Sequence, residues 1–176
     1  MIYSQLFASS LVGVSLLANL SSATAAPAPI FQPIISELQS KLPSGWKLRL
    51  PAYLPSAPVQ LYAYVRSSPV ITQVNIATSP DCATSSQPLS CTVGGIGVIS
   101  PQRKNWLPAQ QKFSRVSLSR GIKGYYLTRD GGKFIFWEQE GQRYTLGAIA
   151  QGISTQDLIE IVNSAINESP ISSRRR

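Results

Sequence analysis

Ile122-Lys123-Gly124-Tyr125-Tyr126-Leu127-Thr128-Arg129-Asp130-Gly131-Gly132-Lys133-Phe134-Ile135-Phe136-Trp137-Glu138-Gln139-Glu140-Gly141-Gln142-Arg143-Tyr144-Thr145-Leu146-Gly147-Ala148-Ile149 holds the reading on which the fold turns. Three runs rich in aromatic and β-branched residues, Ile122 to Thr128, Lys133 to Glu138 and Arg143 to Ile149, suit strands. Arg129-Asp130-Gly131-Gly132 and Glu140-Gly141-Gln142 separate them, and glycine takes the positive φ that tight hairpins require without a steric cost. The stretch therefore predicts an antiparallel meander. Its middle strand is apolar on both faces, with Phe134 and Phe136 on one and Ile135 and Trp137 on the other, so it belongs at the centre of a sheet. One face can receive a C-terminal helix; the other needs an N-terminal helix, a curl of the sheet or a bound apolar ligand.

Working outward, further strands are expected over Trp46 to Leu50, Gln60 to Arg66, Val70 to Thr78, Cys91 to Ile99 and Phe113 to Ser119. In the first, Trp46, Leu48 and Leu50 alternate with Lys47 and Arg49, which places the two cations on a solvated face. Downstream, Ser154 is a natural N-cap, Asp157 sits in the first turn, and Leu158, Ile159, Val162, Ala165 and Ile166 form an apolar stripe. Upstream, Ile34, Ile35, Leu38 and Leu42 recur at helical spacing after Pro33, and Pro43-Ser44-Gly45 stops that short helix. The expected class is α+β: an antiparallel β-meander sheet of about six to eight strands, a C-terminal helix packed on it and a short N-terminal helix. The expected organisation is a signal peptide over 1–25, a linker and short helix over 26–45, a single domain over 46–167 and a flexible basic tail over 168–176.

The first 25 residues carry no charge, hold an apolar run from Leu6 to Leu20 and end in Ala23-Thr24-Ala25. A membrane span needs about 20 apolar residues, so this shorter run with small residues three apart reads as an export signal. Cleavage is expected between Ala25 and Ala26, because Pro27 disfavours the next bond; retention as an uncleaved anchor is the other reading. Localisation is thus expected to be exported, periplasmic or extracellular, with a thylakoid lumen as one form of it, where disulfides persist. Cys82 and Cys91 are the only cysteines, and they flank a polar segment between a strand end and a strand start. A hairpin-closing disulfide follows.

The chain has a formal net charge of +8 and a pI near 9.8, which favours anionic partners. Eight basic residues fall between Arg103 and Lys133 against only Asp130. Arg103, Lys104, Lys112, Arg115, Arg120 and Lys123 are the candidate anion-binding residues, with Trp106, Phe113, Tyr125 and Tyr126 interleaved. Ser100 to Pro108 has two prolines and no period, and reads as an exposed basic loop. Such a composition suits nucleic acid as well, but export argues against that partner. The competing reading is a solvated strand face, since Val116 and Leu118 alternate with Arg115, Ser117 and Ser119.

The chain contains no histidine. That removes the usual general base, the usual metal ligand and the usual partner of a serine or cysteine nucleophile, so neither a metal site nor a cofactor is expected. Ser44-Gly45-Trp46-Lys47 matches the S-x-x-K pattern of serine hydrolases with a lysine base, yet it sits in a turn leading to a strand and has no K-T-G partner. Gly94-Gly95-Ile96-Gly97 lacks the third glycine and the helix start of a phosphate-cradling loop, and reads as a strand closely approached by another backbone. Glu138 and Glu140 could pair as carboxylates on one side of a strand, but are better read as neutralising Arg143 or Lys133. The expected function is therefore a non-enzymatic binding module, not an enzyme, with a basic face for an anionic envelope component or a membrane-associated protein.

Leu50-Pro51-Ala52-Tyr53-Leu54-Pro55, the pair Cys82 and Cys91, Gly121-Ile122-Lys123-Gly124-Tyr125-Tyr126, Phe136-Trp137-Glu138, Tyr144-Thr145-Leu146 and Asn163-Ser164-Ala165-Ile166 come in an order that resembles a group of uncharacterised exported cyanobacterial proteins. The same motifs look like extracytoplasmic domains of unknown function in anti-sigma factors and envelope lipoproteins. The resemblance implies export and a fold, and carries over no catalytic residue. A weaker similarity, on Gly45-Trp46, Pro51 and the final strand and helix, is to extrinsic photosystem II proteins of the PsbP type. It implies the alternative function of an extrinsic subunit of a membrane complex.

Overall fold

The computed structural model describes residues 26–107, 111–149 and 152–174. The expected signal over 1–25, with Ala25 of the cleavage bond, and the last two arginines lie outside the described residues.

The meander forms as its turns dictate. Strands β6 (Lys123–Arg129), β7 (Gly132–Gln139) and β8 (Gln142–Ala148) pair antiparallel in sequence. At the first turn Asp130 and Gly131 have φ of 50° and 75°, and at the second Glu140 and Gly141 have 51° and 71°. Two successive left-handed residues give the type I′ geometry that matches strand twist, which is why glycine follows the acidic residue in both. Strands β2 (Tyr62–Ser67), β3 (Ile71–Ala77), β4 (Thr92–Ile99) and β5 (Ser114–Ser117) complete a seven-stranded sheet in the order β2-β3-β4-β8-β7-β6-β5. Every neighbouring pair is antiparallel. The Gly94–Gly97 run lies inside β4, where Gly94 and Gly95 face Ala148 and Gly147 of β8. A β-carbon on Gly94 would stand 2.7 Å from the Gly147 carbonyl oxygen, so close backbone approach accounts for that glycine.

Register sorts the side chains into two faces. Val65, Val74, Ile96, Val98, Leu146, Tyr144, Ile135 and Trp137 share one face and are all buried. Helix α2 (Thr155–Asn167) packs there through Leu158, Ile161, Val162, Ala165 and Ile166. Ile161 takes the inward place expected for Ile159, which is half-buried. A capping box starts the helix: Asp157 N–H donates to Ser154 Oγ (3.0 Å) and Ser154 N–H to Asp157 Oδ2 (2.7 Å). The N-terminal element is a 3-10 turn (Pro29–Ile34) running into α1 (Ile35–Lys41), and its Phe31 and Leu38 join the same core. Both helices thus lie on one face, and among the described residues the other carries no helix. The Ala26 to Pro29 linker is itself engaged, with Ala28 buried and its N–H donating to Pro51 O (2.9 Å).

Two expectations are corrected at the chain's extremes. The strand over Trp46 to Leu50 shortens to β1 (Lys47–Leu48), outside the main sheet, and its partner is β9 (Ile171–Ser172). Arg49, expected on a solvated face, is 4% exposed. The tail from Glu168, expected to be flexible, is packed as far as the described residues reach. Glu168 is 2% exposed, β9 pairs with β1, and Arg174 N–H and Nε donate to Gln39 O and Oε1, each at 3.2 Å. A two-residue ladder is too short to leave a period in the sequence. The cysteines behave as expected: Cys82 and Cys91 form a disulfide with Cα atoms 5.8 Å apart, closing the connection between β3 and β4. No helix among the described residues is long and apolar enough to cross a membrane.

Candidate anion-binding face

The helix-free face owes its character to the same alternation that builds the core. Opposite Ile135 and Trp137 stand Phe134 and Phe136; opposite Gly124 and Tyr126 stand Lys123 and Tyr125; on β5, Arg115 is the cross-strand partner of Tyr125. Phe136 is the hub of an edge-to-face aromatic cluster, with Trp106 at 6.2 Å and Phe113 at 5.9 Å between ring centroids. Phe113 in turn meets Tyr125 at 6.4 Å. Such pairs add to the stabilisation from burial alone.

Arg143 pins the basic loop onto this cluster. Its guanidinium carbon lies 5.6 Å from the Trp106 ring centre, its Nε donates to Glu138 Oε1 at 2.9 Å, and its Nη1 donates to the carbonyl oxygens of Pro101 (3.1 Å) and Arg103 (3.0 Å). The planar guanidinium, with donors fixed in a fork, holds a carboxylate on one side and the loop backbone on the other in one geometry. The segment expected as an exposed basic loop is exposed over residues 101–105 and is tied to the sheet through Pro101, Arg103 and Trp106, while its Pro108 lies outside the described residues. A hollow of about 310 Å³ opens beside it, lined by Trp106, Lys123, Tyr125 and Glu138 among others.

Arg103, Lys104, Lys112, Arg115 and Lys123 are exposed around this patch. None of the five makes an ion pair among the described residues. Arg120, the sixth candidate, does not join them. It sits in a turn with φ of 58°, and its Nε donates to Asn167 Oδ1 of α2 at 3.1 Å. Arg143 was legible only as a neutraliser of Glu138; its hold on the loop depends on the β7–β8 register.

Glu138 and Glu140 are not a pair on one side of a strand. Glu138 bonds to Arg143 on the helix-free face, whereas Glu140, past the end of β7, bonds to Arg49 Nη2 at 2.7 Å. Arg49 Nη1 also donates to the Glu168 carbonyl at the C-cap of α2. Around it lie Tyr144, whose hydroxyl burial pushes up to about 12 against the opposing pull of Arg49, and Glu168, whose carboxyl burial pushes up. Gln139 Nε2 bonds to Ile166 O at 3.1 Å. This cluster fastens β1, the β7–β8 turn and the end of α2 together. Ser44 and Lys47 are both exposed, the first in the turn at Gly45 (φ 80°) and the second on β1. Neither stands at a helix N-terminus. No group of three acidic or cysteine side chains with metal-holding geometry occurs among the described residues.

No family model matches this chain, and no curated protein or solved structure is significantly similar to it.

Proposed function

We propose that the chain is an exported, non-enzymatic binding module of the cell envelope that engages an anionic partner through the helix-free sheet face. The observation that carries this reading is the set of five exposed cations, without ion-pair partners among the described residues, grouped around an aromatic platform that Arg143 holds in place. Cations already paired with carboxylates would have little field left to offer. Here the one carboxylate in the patch, Glu138, is occupied by Arg143. The aromatic rings add apolar area beside the charges, a combination that suits an anionic headgroup or acidic sugar surface. The disulfide and the apolar leader fit an oxidising compartment outside the cytoplasm.

The test is binding to vesicles that contain phosphatidylglycerol, compared with purely zwitterionic vesicles, over a range of salt. Affinity should fall steeply as salt rises, because exposed charges are screened within about 8 Å at physiological ionic strength. A basic side chain near an anionic surface contributes about 1 kcal/mol, so the triple variant Arg103→Glu, Lys104→Glu and Lys112→Glu should lose at least roughly a hundredfold in affinity. Its circular dichroism should be unchanged, since all three side chains are exposed. Salt-insensitive binding, or full binding by the folded variant, contradicts the reading.

A further inference from the structure

A second concavity lies on the opposite, helix-bearing face. Residues 51–61 cross this face as a strap without secondary structure, between the N-terminal 3-10 turn and α2. Two bonds fix its beginning, Ala28 N–H to Pro51 O at 2.9 Å and Tyr53 N–H to Ser164 Oγ at 3.2 Å. From Leu54 to Leu61 it makes no hydrogen bond among the described residues. Pro55 and Pro58 restrict its backbone, so its shape costs less entropy than a free loop of that length would.

Beneath the strap is a pocket of about 450 Å³, within the size range of small-molecule sites. Leu54 and Leu61 line it from the strap, Ile76, Ile96 and Leu146 from the sheet, and Ile161 from α2. No aromatic ring and no cation lines it among the described residues; its one ionisable group is Asp157. Hydrogen bonds from Ser154 hold that carboxyl below its usual range, so it stays charged at neutral pH. Val59, on the strap, is 51% exposed. An unfilled apolar space of this size forfeits dispersion contacts on every wall, whereas a filled one would hold the strap down.

We propose that this pocket binds the alkyl chain of a neutral, single-chain lipid, with its uncharged head at the mouth beside Asp157. Branched aliphatic walls conform to a flexible chain, while the lack of rings offers an aromatic ligand nothing to stack on. A fatty carboxylate would meet the Asp157 charge directly, whereas Lys133, the cation close enough to act on Asp157, lies outside the lining with its Nζ donated to Ile153 O. This site is separate from the basic face, and either can fail without the other.

Calorimetric titration of the protein recovered from an export host, with monodecanoylglycerol and monododecanoylglycerol, tests the proposal. Affinity should rise about fourfold for each added methylene, and the heat capacity of binding should be negative. Dodecanoate and naphthalene should bind at least about tenfold more weakly than the dodecanoyl glyceride, the difference a further 1.4 kcal/mol would give. Ala148→Phe, which fills the pocket from β8, should abolish binding. Val59→Asp, on the exposed strap where folding is not at stake, should weaken it at least about tenfold. The triple charge-reversal variant should bind the glycerides as the parent does. Chain-length-independent affinity, naphthalene or dodecanoate binding as tightly as the glyceride, or undiminished binding by folded Val59→Asp would overturn the proposal.

Discussion

Arg49 is the side chain whose environment departs most from its local sequence. Alternation with Leu48 and Leu50 turns it outward beside Lys47, yet it is 4% exposed because Glu140 and the Glu168 carbonyl, both far along the chain, come to it. No window around residue 49 contains that information. Arg49→Ala should cost about 3 kcal/mol in chemical unfolding, since it strips a buried carbonyl of a charged donor. Glu140→Gln should cost under about 1 kcal/mol, because Glu140 is half exposed and water screens its charge. Equal losses would show that the ion pair, not the buried bond, carries the stability. Glu168 makes the pH prediction. The residue is 2% exposed with its carboxyl Oε1 buried and unpartnered, and burial raises its pKa. A raised carboxyl binds its proton more tightly folded than unfolded, so its contribution is fully present below the unfolded value, about 4.3 for glutamate, and is lost as pH rises through the folded one. Glu168→Gln should therefore raise the melting temperature at neutral pH, with the gain shrinking to nothing in acid. A gain that grows in acid would contradict the burial account.

Elements whose cause is local were legible. The two type I′ turns follow from Asp130-Gly131 and Glu140-Gly141, and the α2 start from Ser154 and Asp157, because each needs only a few neighbouring residues. Ser154→Ala should cost about 1 kcal/mol, measured by thermal or chemical unfolding. The disulfide was legible from two cysteines at strand ends. Replacing both by serine should cost about 2.5 to 3 kcal/mol on the loop-closure entropy of some ten residues, and a loss well under 1 kcal/mol would mean that the Pro80–Ala83 segment already holds the connection closed. The β1–β9 ladder was not legible, being two residues long on each side. Nor was the placement of α1. Periodicity identified an apolar stripe containing Leu38, but a stripe does not state which face of the sheet it meets, and it joins α2 on the same one.

One sheet presents two chemistries: a helical face with an aliphatic pocket, and an open face where aromatic rings sit among cations that have no ion-pair partner among the described residues. The cations could be counted in the sequence, seven in excess between Arg103 and Lys133. Their assembly could not, because it depends on Arg143 clamping the loop from β8, and on a left-handed turn sending Arg120 to α2 instead. The pocket left no trace at all, since its walls come from the strap, three strands and a helix, each apolar for reasons that look like ordinary core. An anionic partner bound to the open face, as proposed, would cover the lysines there. Acetylating lysines with and without phosphatidylglycerol vesicles, and reading each site by mass spectrometry, shows which ones are covered. Lys104, Lys112 and Lys123 should be protected, while Lys41 on α1 and Lys47 on β1, both exposed and away from that face, should react as before. Protection spread evenly over all five, or centred on Lys41 and Lys47, would contradict the proposal.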